Sequence, residues 1–215
     1  MGRQYDLRAA APGTGGVKKT ESAKGRARKE LIVDAATRLV ARNGSRGTNL
    51  AEIAAEAGVS QSGLLYHYPT KEALLNAVLD RRDETEDEIL WHDADVGLGL
   101  LDVIAHNVTR WAGHSHAVGM HTVLVVENLG EDGALHPRLG GRYHATVDRV
   151  AAVLSAAQDR GEIRADVDTR LKAIEIIAFI NGLETAWLLD PEIPVAAAAQ
   201  AWAAQQRLAM AAPPT

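Results

Sequence analysis

Apolar positions repeat along this chain with the period of an α-helix, and no segment alternates with the period of a β-strand. The repeat is most informative between residues 49 and 74, where two short helices are followed at once by the start of a longer one. One face of the first short helix carries Leu50, Ile53, Ala54 and Ala57. The pattern predicts an all-α fold.

Capping residues and one glycine divide this segment into its elements. Asn49 and Glu52 have the spacing of a capping box at the start of the first short helix, and Gly58 supplies the turn that follows it. Ser60 is expected to cap the second short helix, and Thr70 the longer helix. Two short helices joined by a tight turn form a helix-turn-helix, which DNA-binding proteins place in the major groove.

The second short helix has a polar and largely uncharged surface, which suits base edges better than a protein core. We expect Gln61 and Ser62 to contact bases, and Gly63 to let the backbone approach closely. The other residues expected to contact DNA, mainly at phosphates, are Arg28, Thr48, Asn49, Ser60, Tyr66, His67 and Lys71. Double-stranded DNA is therefore the predicted partner.

The order of residues in this segment resembles that of the TetR (tetracycline-repressor-like) family of bacterial transcriptional regulators. The residues that carry the resemblance are Ile53, Ala54, Ala57, Gly58, Val59, Ser60 and the run from Leu64 to Leu74. Leu65 departs from the family, which usually has a tyrosine there that reaches a phosphate; Tyr66 and His67 could replace that contact. The resemblance covers residues 29–79 closely. It implies a homodimeric repressor that binds an inverted repeat and is released by a small molecule.

Three parts of the chain follow from the pattern. Residues 1–22 are expected to be a disordered basic arm, residues 23–75 a three-helix helix-turn-helix DNA-binding domain, and residues 76–211 a helical-bundle domain for effector binding and dimerisation. The helices expected outside the motif lie near residues 26–42, 70–88, 98–112, 118–129, 137–160, 168–189 and 194–210. In the first of them Leu31 is expected to face inward.

The second half resembles, more loosely, the C-terminal domains of TetR proteins related to betaine regulators, through residues 160–168, Gly182 and residues 187–191. In that family two long helices pack against their counterparts in a second subunit. The residues expected at such an interface are Val147, Val150, Ala151, Leu154, Leu171, Ile174, Ala178 and Gly182. Packing within one chain remains an alternative for them. A twofold dimer is favoured because a single recognition helix contacts too little DNA.

Polar and aromatic residues within the apolar middle helices are the candidates for effector binding. They are His106, Asn107, Arg110, Trp111, His121, Glu127, Asn181 and Trp187. The sequence does not identify the effector. A metal-responsive regulator is the alternative, because His106, His114, His116 and His121 lie near one another in sequence. However, these histidines lack the helical spacing of a known zinc motif, and no metal or other cofactor is predicted.

Composition and charge narrow the class of protein. Of the 215 residues none is cysteine, which excludes disulfides and thiol catalysis and fits a reducing cytoplasm. No apolar run has the length of a membrane span, and no membrane partner is expected. Residues 1–75 hold 12 Lys and Arg against 7 Asp and Glu, whereas residues 76–215 hold 11 against 21. The positive charge thus coincides with the predicted DNA-binding motif.

An enzyme is the hypothesis from a different class. An all-α bundle can hold a di-iron centre, but that site needs Glu-x-x-His pairs, and the sequence has none. The sequence also lacks a nucleophile elbow, a phosphate-binding loop and a dinucleotide-binding fingerprint. Asp102 and His106 are four residues apart and are most simply a local helix pair. Catalysis is therefore not expected.

Overall fold

The computed structural model describes residues 23–91 and 97–213, and the expected basic arm, residues 1–22, lies outside them. Apart from one antiparallel bridge between Ile163 and Ala211, the regular structure of the described residues is helical. The helices are α1 (Ala23–Asn43), α2 (Leu50–Glu56), α3 (Gln61–His67), α4 (Lys71–Leu90), α5 (Leu100–Val108), α6 (Ser115–Glu127), α7 (His136–Asp159), α8 (Thr169–Leu189) and α9 (Val195–Met210). Short 3-10 turns precede α5 and α6. The all-α prediction is confirmed.

The caps of the helix-turn-helix form as the sequence predicts. The Asn49 side chain accepts a hydrogen bond from the backbone N–H of Glu52 at 2.9 Å, and the Glu52 carboxylate accepts one from the N–H of Asn49 at 3.2 Å. Ser60 Oγ accepts from the N–H of Gly63 at 3.1 Å, and Thr70 accepts from the first turn of α4. Gly58, in the turn between α2 and α3, has φ 66°, a left-handed conformation that favours glycine. Local sequence thus determines where each of these helices begins.

The core of the helix-turn-helix draws on residues from beyond the motif. This first cluster joins α1, α2, α3 and the N-terminal half of α4, and it is completed by Met120 and Leu124 of α6 and by Leu135. α1 packs more extensively on α6 than on any other helix. Leu31 is a correction: it is 53% exposed, because the neighbouring Ile32 takes the inward position on the α1 face. The helix-turn-helix is thus attached to α6 mainly through α1.

A second cluster forms the core of the remaining helices, and its centre lies among α5, α7, α8 and α9. Trp111 and Trp187 meet there, with ring centroids 5.9 Å apart. The end of α9 is joined to the connection between α7 and α8, since the N–H of Arg164 donates to the carbonyl of Met210 at 2.9 Å. None of the described helices is long and apolar enough to cross a lipid bilayer.

Helix α4 contributes to the first cluster and also lies along α7. Its outer half carries a series of aspartates that face arginines on α7. Arg138 Nη2 lies 2.8 Å from Asp83 Oδ2, and Arg142 Nη2 lies 2.8 Å from Asp87 Oδ1. We call this the aspartate–arginine ladder; its members are Asp80, Asp83, Asp87, Arg138, Arg142 and Arg149. The hydrogen bond from Arg142 holds the pKa of Asp87 below its ordinary value, which keeps that carboxylate ionised.

Truncation of Leu124 should destabilise the protein, because this fully buried α6 side chain fills the first cluster. We expect Leu124→Ala to lower the free energy of unfolding by about 2–5 kcal/mol, measured by urea denaturation at fixed protein concentration. Leu129→Ala is the matched control, because Leu129 is exposed just beyond the same helix and should change stability by less than about 0.5 kcal/mol. Equal effects of the two substitutions would contradict the packing described here.

Candidate nucleic-acid interface and effector site

Helix α3 presents an exposed polar surface. Gln61 and Ser62 in its first turn are exposed, and Tyr66 is 84% exposed. The Tyr66 ring meets the His67 ring edge-on, with centroids 5.2 Å apart. Gly63 is half-buried behind the first turn. Gln61 and Ser62, which are expected to contact bases, are therefore both accessible on the same helix.

Basic residues of α1 adjoin this helix. A shallow groove separates the N-terminal turns of α1 from α3, and Lys24, Arg28, Tyr66 and His67 line it. Lys71 lies in the first turn of α4, where the helix dipole adds positive potential. A groove of this kind, with cations on its walls and aromatic and imidazole rings beside them, is suited to a phosphate backbone.

Three polar residues of the predicted DNA surface have structural roles as well. Asn49 and Ser60 cap α2 and α3, yet both remain exposed and keep hydrogen-bonding capacity for a phosphate. Thr48 is different and is a correction. Its side chain is 2% exposed, and its hydroxyl donates to the carbonyl of Gly44 at 2.8 Å. The Thr48 hydroxyl therefore stabilises the turn after α1 and cannot reach DNA.

Glu127 at the end of α6 contacts the turn after α1 rather than a cavity. Its Oε2 accepts a hydrogen bond from the N–H of Ser45 at 3.0 Å, and its carbonyl accepts one from Arg46 at 3.4 Å. Gly44 has φ 76°, and a Cβ at this position would lie 2.6 Å from Glu127 Oε1. The sequence predicted Glu127 as an effector contact, but its side chain here joins α6 to the turn that precedes α2.

A buried polar group lies between α6 and α8. His121 Nδ1 is 3.7 Å from Glu184 Oε1, which is longer than a hydrogen bond, and Nδ1 has no hydrogen-bond partner among the described residues. The Thr122 hydroxyl donates to the Glu184 carboxylate. Sequence reasoning found His121 but missed Glu184 and Thr122. The available signal was a carboxylate within the apolar C-terminal half of helix α8.

Burial and neighbouring charges set the protonation of this group. Burial lowers the pKa of His121, the positive charge of Arg82 lowers it further, and the carboxylates of Glu184 and Asp83 oppose that change. Burial alone would raise the pKa of Glu184, but its contacts with His121 and Thr122 and the charge of Arg82 hold it below its ordinary value. The lowered pKa of His121 favours the neutral imidazole, and the lowered pKa of Glu184 favours the carboxylate.

The other expected effector residues do not converge on one place. Trp111 and Trp187 are buried together in the second cluster. Asn107 donates to Glu86 of α4 at 3.1 Å. The three that remain at or near the surface are His106 in a groove between α5 and α9, Arg110 at the end of α5, and Asn181 on the outside of α8. The structure therefore leaves the tryptophan pair and the His121 group as the interior candidates.

The four histidines of the metal hypothesis are also dispersed. His106 lines the open groove between α5 and α9, whereas His121 is buried beside Glu184. Nδ1 of His114 is hydrogen-bonded to the carbonyl of Arg110, at 3.0 Å. Within residues 23–91 and 97–213, no three His, Asp or Glu side chains form a group that could hold a metal ion.

The two helices expected at a dimer interface differ in what they expose. Val147, Val150 and Leu154 of α7 are covered by other residues of the same chain. They therefore pack in the core of one chain, which was the alternative to a dimer interface. The reason is that α7 turns this apolar row toward the second cluster. Ala151 is half-buried. The α8 residues are on the outside, with Leu171 at 64% exposure, and Ile174, Ala178 and Gly182 also exposed.

Comparison with protein families gives two matches. Residues 32–78 match the family described as bacterial regulatory proteins, tetR family. Residues 128–210 match the family described as BetI-type transcriptional repressor, C-terminal. The first match contains the helix-turn-helix, and the second contains α7, α8 and α9.

Individual proteins are similar over most of the chain. The A-factor receptor protein of Streptomyces griseus is 28% identical over 158 residues, which is 71% of this chain and 52%, about half, of that protein. The HTH-type transcriptional regulator TtgR of Pseudomonas putida is 27% identical over 169 residues, 75% of this chain and 80% of that protein. The solved structure of a SmeT–triclosan complex shares the fold, with a TM-score of 0.74 at 21% identity, and the match covers 85% of this chain and 90% of that one.

The His121 group should make stability depend on pH. The unfolded chain binds a proton at an ordinary histidine pKa of about 6.5, whereas the folded chain binds it at a lower pKa, so the unfolded state holds more protons between the two values. We therefore expect the free energy of unfolding to fall as pH decreases below about 6.5, relative to His121→Gln. Urea denaturation between about pH 5 and 8 measures this difference.

The matched control for this measurement is His116→Gln, which replaces an exposed histidine on the same helix. A stability difference between wild type and His121→Gln that stays constant over the whole pH range would contradict the buried neutral imidazole.

Proposed function

The chain belongs to the TetR family of bacterial regulatory proteins, and on this premise we propose that it is a transcriptional repressor that binds an inverted-repeat operator as a homodimer and is released by a small-molecule effector. The observation that carries the proposal is the exposed polar surface of α3, capped at Ser60 and bordered by the basic groove of α1. We propose double-stranded DNA as its partner and the cytoplasm as its location.

The exposed residues divide by chemistry into two kinds of DNA contact. Gln61 and Ser62 are proposed to contact base edges, since a glutamine amide can bond both N6 and N7 of adenine. The half-buried Gly63 supports this role because it keeps the first turn of α3 narrow. The residues proposed to hold phosphates are Arg28, Asn49, Ser60, Tyr66, His67 and Lys71.

Dimerisation is proposed to use the outer face of α8. Leu171, Ile174, Ala178 and Gly182 follow one another at helical spacing and are all exposed in the single chain. At Gly182 an added Cβ would meet no atom within 4 Å, so the surface there is open to a second helix. Small residues between larger ones permit close helix approach. A twofold axis at this face would present two copies of α3 to two half-sites.

Effector release is proposed to act through α6. This helix supplies Met120 and Leu124 to the first cluster, and its Glu127 is bonded to the turn before α2. The same helix carries His121, which faces Glu184 in the interior. A ligand that binds better when α6 is displaced would shift the population toward a form whose α3 helices no longer fit the operator. The interior candidates for its contacts are His121, Trp111 and Trp187.

The experiment that tests the proposal is DNA binding with two variants. We expect the wild type to retain a short inverted repeat from the DNA flanking its own gene, at near-physiological salt and with excess competitor DNA. Gln61→Ala should lose about 1–3 kcal/mol of binding free energy at one base pair and relax specificity there. Lys71→Ala should weaken binding to all sequences alike and reduce the slope of affinity against salt by about one.

The control for these variants is Glu131→Ala, which removes an exposed charge in the connection between α6 and α7. Uniform loss of affinity in both test variants would refute the division between base and phosphate contacts. No DNA affinity of the wild type even at low salt would refute the proposed function.

Placing a charge on the proposed dimer face should separate the subunits. Ala178 is exposed, so Ala178→Arg leaves the single chain intact but buries a guanidinium if α8 meets its copy. We expect sedimentation of the variant to shift from dimer to monomer at micromolar concentration, and its affinity for the inverted repeat to fall with it. Ala134→Arg, at an exposed position before α7, should leave both unchanged. A dimeric Ala178→Arg would exclude this face.

A further inference from the structure

Helix α3 exposes one aliphatic side chain in addition to its polar residues. Leu64 is fully buried and attaches the helix to the first cluster. The next residue, Leu65, is 38% exposed and belongs to neither hydrophobic cluster of the described chain. Leu64 is thus the core anchor of α3, and about a third of Leu65 remains accessible to a partner.

The position of Leu65 on the helix places it beside Gln61. Residues four apart lie on one face of a helix, so Leu65 stands one turn further along from Gln61. A rise of 1.5 Å per residue separates them by about 6 Å along the helix axis. A helix in the major groove runs obliquely to the DNA axis, so this distance spans at most one to two base-pair steps of about 3.4 Å. If Gln61 contacts one base pair, Leu65 faces the next one or the one after it.

The chemistry of Leu65 restricts what it can recognise there. An aliphatic side chain cannot satisfy the donors and acceptors of a base edge, and it would desolvate them without compensation. The largest apolar group that the base pairs present in the major groove is the C5 methyl of thymine. Tyr66, the neighbouring exposed residue, keeps a hydroxyl that can bind a phosphate, whereas Leu65 has no polar atom in its side chain.

We propose that Leu65 is a specificity-determining residue that recognises a thymine by packing against its C5 methyl group, one or two base pairs from the base contacted by Gln61. The inference rests on the proposed function, since it requires α3 to enter the major groove. It predicts that each half-site contains a thymine whose methyl group contributes to affinity and whose hydrogen-bonding groups at that position do not.

Deoxyuridine tests the inference, because it differs from thymidine only by lacking the C5 methyl. The probe is the shortest synthetic duplex from the flanking DNA that the wild type retains, with each thymine of one half-site replaced in turn by deoxyuridine. We expect one replacement to reduce wild-type affinity about fourfold, the contribution of one buried methyl group. Leu65→Ala should bind the thymine and uracil duplexes equally while still binding DNA.

Two controls accompany the measurement. Leu65→Met keeps an apolar side chain of similar volume and should retain the preference for thymine at that position. Tyr66→Phe removes a hydroxyl proposed to bind a phosphate, so it should weaken binding to the thymine and uracil duplexes alike and leave the ratio of the two affinities unchanged. Circular dichroism melting should show that the exposed position tolerates Leu65→Ala without loss of the fold.

Two results would overturn the inference while leaving the proposed function intact. One is a wild type that binds its operator but discriminates no thymine from uracil. The other is a Leu65→Ala variant that keeps the wild-type preference at the same position. A wild type that retains no specific duplex would instead overturn the proposed function, and with it the premise of this inference.

Discussion

The rest of the structure depends on the burial of α6 side chains in the core of the helix-turn-helix. The two short helices of the motif have only seven residues each, which is too few to bury a core of their own. Met120 and Leu124 supply the missing apolar surface from a helix that otherwise belongs to the second half of the chain. The orientation of α3 thus depends on its own turn and on the shared core, which α1 packs against α6. Any displacement of α6 must disturb that packing.

Polar contacts reinforce the same coupling at two further points. Glu127 connects the end of α6 to the turn before α2 through the N–H of Ser45, and the aspartate–arginine ladder holds α4 along α7. Between these points lies the buried pair of His121 and Glu184, one residue on α6 and the other on α8. A ligand that separates α6 from α8 would therefore displace a helix whose side chains complete the first cluster. This arrangement gives a physical route from the interior to α3.

The sequence predicted the features that local chemistry determines. The helical period and the caps at Asn49, Ser60 and Thr70 depend on residues within one turn, and the structure confirms them. Leu31 was misplaced because the side of α1 that faces the core depends on how α1 packs on α6. Thr48 was misplaced because its hydroxyl donates to the carbonyl of Gly44 in the turn after α1. Val147 and its neighbours have a periodic apolar row that suits an interface or a core equally. Only the fold shows that this row packs in the core of the single chain.

The partner of Glu184 was beyond prediction for a similar reason. Thr122 and Glu184 are 62 residues apart in sequence, and neither belongs to a recognisable motif. A carboxylate in an apolar helix indicates a buried partner, but the residue that meets it depends on the angle between α6 and α8. The same limit applies to every contact between distant helices in this chain.

The aspartate–arginine ladder has a consequence for how this protein can change over evolutionary time. Arg138 contacts both Asp80 and Asp83, and Arg142 contacts both Asp83 and Asp87. Because adjacent pairs share members, the loss of any one aspartate leaves Arg138 and Arg142 each with a remaining carboxylate partner, whereas Arg149 pairs with Asp87 alone. A single aspartate substitution along this row therefore leaves neither Arg138 nor Arg142 without a counter-charge. The attachment of α4 to α7 is in this sense tolerant of drift, whereas the close fit of Gly44 against Glu127 is not.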